Sequence, residues 1–80
     1  MNQMIRERIE VNPKVMVGKP VIRGTRIPVE VIVRMLAAGT AESEILKEYP
    51  RLTQTDIRAA LAYAAASLAN DDILPLTGTL

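Results

Sequence analysis

The sequence predicts a mainly α fold, a small three-helix core preceded by short N-terminal β-strands arranged as a hairpin. Three observations predict it. From Val29 onward, apolar residues recur at the three- and four-residue intervals of a helix face. Explicit stop and start residues, Gly39-Thr40 and then Pro50 to Thr53, divide that half into segments of helical length. Before Pro28 the period is lost, and short β-branched runs alternate with Pro, Gly and Asn. Eighty residues make one domain, 1–80, which divides into a basic β/turn arm (1–27), a helical core (28–69) and a tail (70–80).

Arg6–Val11 alternates imperfectly with a period of two, which suits an edge strand. Asn12-Pro13 marks a turn, and Val15–Val17 reads as a second short strand ended by Gly18. Val21–Ile22 and Arg26–Ile27 flank Arg23-Gly24-Thr25, a bend or hairpin that uses glycine's freedom in φ. Pro28 fits the first position of a helix, where its missing N–H costs nothing. Val29, Ile32, Val33 and Leu36 then form a core-facing stripe, and Glu30 and Arg34 make an i,i+4 ion pair on another face. Gly39 is the C-terminal stop and Thr40 the N-cap of a second helix, Ala41 to Tyr49, which buries Ile45, Leu46 and Tyr49. Pro50 ends it. The third helix starts with Thr53 as N-cap, Asp56 at the capping-box position and Leu52 placed to staple onto Ile57. Ile57, Leu61, Ala64 and Leu68 form its expected inner face.

Composition narrows the function classes. There is no Cys and no His, so thiolate zinc sites, disulfide frameworks and histidine-based catalysis are excluded. No metal or cofactor site and no enzymatic activity are expected. Glu44 and Glu48 share a helix face without a third ligand, and Val17-Gly18-Lys19-Pro20 lacks the glycines and hydroxyl of a phosphate loop. The first ten residues alternate charge with apolar side chains, and the longest uncharged run, Ala59 to Asn70, is too short to span a bilayer. A soluble, cytoplasmic protein is therefore expected. With 49% hydrophobic residues in a chain this small, and only Tyr49 and Tyr63 as aromatics, a homodimer or a constant partner is expected to cover apolar surface. The alanines of the third helix suit close helix–helix approach in such an oligomer.

Charge is uneven. Residues 1–26 hold six cations against two acids, a net +4, whereas residues 27–80 carry a net −3. A polyanion would meet the front. Lys19, Arg23 and Arg26 sit in the segment KPVIRGTRIPV (Lys19–Val29), as contacts for phosphate or for an acidic nuclease site. Helix, short turn, helix over residues 41–69 is the spacing of a helix-turn-helix of homeodomain-like kind. In it Gln54, Thr55 and Arg58 would reach base edges, while Lys47 and Arg51 would clamp phosphates. The rival is plain helix packing in a protein-interaction or dimerisation module without DNA affinity, with the basic segment as a dimerisation arm. The tail's Ile73, Leu74, Pro75 and Leu76 either fold back or dock on a partner.

Gly18-Lys19-Pro20-Val21-Ile22, Gly24-Thr25-Arg26-Ile27-Pro28-Val29, Ala38-Gly39, Ile45-Leu46, Tyr49-Pro50 and Asp56-Ile57 with Ala60-Leu61-Ala62-Tyr63 closely resemble the domain-of-unknown-function family numbered 433. The resemblance covers roughly residues 9–64, with Val17-Gly18 standing where that family usually has paired glycines. It implies a helix-turn-helix-like fold behind an N-terminal β element. It also implies an antitoxin of a toxin–antitoxin pair, with a PIN-like ribonuclease toxin as partner and no enzymatic activity; operator DNA is the partner expected of the helix-turn-helix half.

Overall fold

The computed structural model of the chain describes residues 2–70, so the reading of the tail beyond Asn70 falls outside the described residues. In order along the chain come helix α1 (Gln3–Arg8), strand β1 (Ile9–Val11), a single 3-10 turn (Met16–Gly18), strand β2 (Pro20–Ile22), and helices α2 (Val29–Ala37), α3 (Glu42–Glu48) and α4 (Gln54–Asn70). The fold is mainly helical with a short two-stranded antiparallel sheet in its N-terminal half.

The N-terminal segment departs from the expected edge strand. Asn2 caps a helix, its side-chain oxygen accepting the Ile5 amide at 2.9 Å. Ile5 and Ile9, four residues apart, are both buried, so a helical period rather than a strand period puts this segment's large apolar groups on one face. Only Ile9–Val11 is strand, paired antiparallel with β2 in the register Ile9↔Ile22, Glu10↔Val21 and Val11↔Pro20.

Val15–Val17 is not a strand either. Asn12 accepts the Lys14 amide through its side chain and the Val15 amide through its carbonyl, both at 2.8 Å. The chain then takes three consecutive positive φ values at Met16, Val17 and Gly18 (52°, 55° and 82°). The hairpin reading of Arg23–Thr25 is correct. Gly24 sits at φ 81°, the Ile22 amide donates to the Ile27 carbonyl at 3.0 Å, and Val21 bridges Pro28. The Thr25 hydroxyl donates to the Ile22 carbonyl and accepts the Ile27 amide, closing the turn from inside.

Pro28 is the residue before α2, extended at ψ 143°, one position earlier than expected. Val29 and Ile32 are buried and Val33 and Leu36 half-buried, as their stripe predicts. At the helix end the Gly39 amide donates to the Leu36 carbonyl and the Thr40 amide to that of Met35, with Gly39 at φ 89°. That closure holds Thr40 outside α3, so the cap position falls on Ala41 and no side chain caps the helix. The α4 start is as written in the sequence: the Asp56 amide donates to Thr53 Oγ1 at 3.2 Å and the Thr53 amide to Asp56 Oδ2 at 2.9 Å.

The inner face of α4 corrects the expectation. Ile57, Ala59 and Ala60 are fully buried, and Ala64 is half-buried. Leu61 and Leu68 are instead 42% and 58% exposed. Packed against α4 are α1 on one side and α2 on another. Small side chains let those backbones come close, which pushes the leucines outward. Close approach thus occurs within one chain.

Candidate functional site

A single hydrogen bond brings the two basic sets of residues together. Arg51 lies in the turn between α3 and α4, fixed there by the Leu52 amide donating to the Tyr49 carbonyl. Its guanidinium Nη2 donates to the Gly24 carbonyl at the hairpin tip, 2.9 Å away and 27 positions back in the chain. A carbonyl can point there because glycine takes the left-handed conformation at Gly24 without strain.

Two grooves flank this contact. One, of about 520 Å³, is lined by Arg26 and Arg51 beside Gly24, Thr25, Glu10 and Val15. The other, of about 310 Å³, is lined by Arg8, Arg23 and Arg51 with Thr25, Thr53, Glu7 and Asp56. Arg26 and Arg51, assigned by sequence to different contacts, therefore share one surface.

The remaining residues divide by what holds them. Arg23 turns back on the molecule: its Nε donates to the Glu7 carbonyl at 3.0 Å, and its Nη2 to the carbonyls of Arg6 at 2.7 Å and Ile9 at 3.0 Å. It caps the C-terminal end of α1, where free carbonyls favour a cation. Lys19 Nζ pairs with Glu30 Oε1 at 2.6 Å, and Arg34 Nη2 reaches Glu30 Oε2 at 2.8 Å. The Lys19 hydrogen bond and charge, helped by Arg34, hold the Glu30 carboxyl below its ordinary pKa.

On the α3–α4 side, Gln54 is exposed and donates to Glu42 at 3.3 Å, and Thr55 is half-buried. Lys47 and Arg58 are exposed and make no salt bridge among the described residues. Arg26 is likewise exposed and unpaired among them.

Arg8 escapes the sequence reading. Its Nη1 reaches Asp56 Oδ1 at 3.2 Å across 48 positions, and the Asp56 side chain is only 7% exposed. A long-range pair of this kind leaves no periodic trace in the sequence. The one available signal was Asp at a capping-box position, where Glu or Gln is usual. Among the described residues no group of three or more acidic side chains could hold a metal ion, and no helix is long and apolar enough to cross a membrane.

Fold and site together define a small, mainly helical domain whose hairpin tip and α3–α4 turn share a basic surface. The chain belongs to the family described as Protein of unknown function (DUF433), whose model matches residues 9–64. Relatives share this description only in general terms. The uncharacterized protein y4eO of Sinorhizobium fredii is 39% identical over 62 residues, which are 78% of this chain but 28% of that protein. An uncharacterized protein of Archaeoglobus fulgidus is 69% identical over 29 residues, 36% of this chain and 81% of its own. The crystal structure of a DUF433 member protein from Anabaena variabilis superposes with a TM-score of 0.72 at 39% identity, over 80% of this chain and 63% of that one. The chain thus spans less than two thirds of the length of y4eO and of the Anabaena protein.

Proposed function

We propose that the chain is a non-catalytic, cytoplasmic antitoxin of a toxin–antitoxin pair, whose basic surface holds operator DNA and whose partner is a PIN-like ribonuclease. The observation that carries the DNA reading is the Arg51–Gly24 hydrogen bond. It joins Arg26 on the hairpin to the turn that leads into α4, so α3, turn and α4 act as a helix-turn-helix with a basic wing. Arg51, Arg26 and Lys47 then meet phosphates, while Gln54, Thr55 and Arg58, on the first turns of α4, face the major groove. Gln54 must exchange its weak bond to Glu42 for a base edge.

Binding to the protein's own promoter DNA, followed by fluorescence anisotropy over a range of salt concentrations, tests this. Affinity should fall steeply with salt, and Lys47→Ala should weaken binding and flatten the logarithmic salt slope by about one, whereas Arg58→Ala should relax sequence preference. Absence of binding at low salt overturns it.

A second reading, a protein-interaction module without DNA affinity, is favoured by a different observation. Between α2 and α4 runs an apolar groove lined by Pro20, Val29, Val33, Tyr63, Ala64 and Leu68. In that reading a second copy of the chain covers it. Sedimentation of the Leu68→Glu variant as a monomer, beside a dimeric parent that ignores DNA, would support this reading over the first.

A further inference from the structure

The groove on the α1 side of the hairpin tip carries more than a share of the basic surface. Three guanidiniums line it, and each is held in place by the protein itself. Arg8 is anchored by Asp56 Oδ1 and Arg51 by the Gly24 carbonyl, while Arg23 is anchored by three carbonyls at the end of α1. A guanidinium has five N–H donors, so each anchored arginine retains donors for something else. Arg8 Nη2, Arg23 Nη1 and Arg51 Nη1 have no partner among the described residues.

The two carboxylates that line the same groove offset two of the three positive charges and leave it a net +1, with acceptor oxygens on each already engaged. Asp56 is occupied on both oxygens, by Arg8 and by the Thr53 amide. Glu7 accepts from Gln3 through Oε2. Thr53 Oγ1 accepts the Asp56 amide, which leaves its hydroxyl proton to donate.

We propose that this groove, bounded by Arg8, Arg23, Arg51 and Thr53, is a binding site for a phosphoryl group. Planar guanidiniums in fixed positions suit an anion that offers several oxygens at once, and pre-anchoring removes much of the side-chain entropy that binding would otherwise cost. A phosphate is small beside a groove of about 310 Å³, so the group can be free phosphate or the end of a larger ligand. The inference does not rest on operator binding, with which this groove shares Arg51 alone.

The test is a titration of the whole chain, labelled with ¹⁵N, by inorganic phosphate at constant ionic strength set with chloride. Saturable shifts are expected at the Gly24 and Thr53 amides and the arginine Nε signals. Arg51→Gln, which gives up one surface hydrogen bond, should raise the dissociation constant at least about tenfold. Arg51→Lys should recover only part of that, and Arg34→Gln should leave it unchanged. A second arm compares a short single-stranded oligonucleotide with and without a 5′-phosphate. Preference for the phosphorylated form identifies a nucleic-acid end as the source, and equal weak binding of both beside saturable binding of inorganic phosphate identifies the free ion. Shifts that never saturate, or that Arg51→Gln leaves intact, overturn the site. An unphosphorylated operator duplex, measured separately, can fail or bind without altering that outcome.

Discussion

Val17 is the residue whose conformation and identity disagree most. A β-branched side chain at φ 55° and ψ 40° is crowded against its own backbone, and this one is also 93% exposed, so no packing offsets the cost. Resemblance places paired glycines here, and the structure supplies the reason: Val17 and Gly18 both stand in the left-handed region. Val17→Gly should stabilise the protein by about 0.5–1 kcal/mol, the relief of strain exceeding the entropy that glycine costs. Chemical denaturation with an unchanged m value would show it, and a destabilised variant would mean that Val17 is held by contacts made outside this chain. Asp56 is the opposite case, a residue whose every oxygen is used. Asp56→Ala should cost about 2–4 kcal/mol, because it removes the reciprocal cap of α4 and strips Arg8 of its carboxylate. Equilibrium unfolding measures this directly.

Element by element, the legible parts are those whose signals are local. The end of α2 at Gly39 and the capping box of α4 involve residues three to five positions apart, and both stand as read. The start of α3 does not, because the Thr40 amide is spent on the Met35 carbonyl and its side chain is held away from the cap position. In α4 an even run of alanines gives no strong side to the helix, so its two leucines draw the inner face toward themselves on paper. Contact with α1 and α2 decides otherwise. Leu61→Ala should therefore cost less than about 1 kcal/mol, whereas Ala60→Leu, placing three extra carbons in a filled interface, should cost about 1–3 kcal/mol or more. Thermal unfolding of the pair checks the face assignment, and the reverse order of effects would refute it.

Helix α2 carries one pH-dependent ion-pair network. The Glu30 carboxyl titrates below its ordinary value because Lys19 and Arg34 both favour its charged form. A lowered folded value means that the contribution is complete above the ordinary carboxylate pKa and is lost as pH falls through the lowered one. Unfolding temperature measured from neutral pH down to about pH 3 should fall less steeply for Glu30→Gln than for the parent. Since the three side chains are solvent-exposed, added salt should narrow the difference.

At the scale of the molecule, the segment Lys19–Val29 is easily recognised in sequence, yet what its cations do is hidden there. Their spacing suggests three outward charges. Folding instead commits Arg23 to main-chain carbonyls and Lys19 to Glu30, because both find acceptors on elements far away in sequence. Arg26 is the one of the three without a salt bridge or side-chain hydrogen bond among the described residues, and it stands in the same groove as Arg51. With Glu30 against Lys19 and Asp56 against Arg8, the sequence net of +4 over residues 1–26 overstates the charge available to a partner. If the basic surface serves a polyanion, Arg26→Glu should be far more damaging than Arg34→Gln, whose side chain is engaged with Glu30 and lines neither groove. Reversal changes the local charge by two, so affinity for duplex DNA at low salt should fall at least about tenfold and the logarithmic salt slope by about two. Arg34→Gln, lowering the net charge by one, should move neither quantity by more than about twofold. A logarithmic loss for Arg34→Gln of about half that for Arg26→Glu, in proportion to the charge removed, would show that only overall charge matters, and the convergence of hairpin and turn would then have no part in binding.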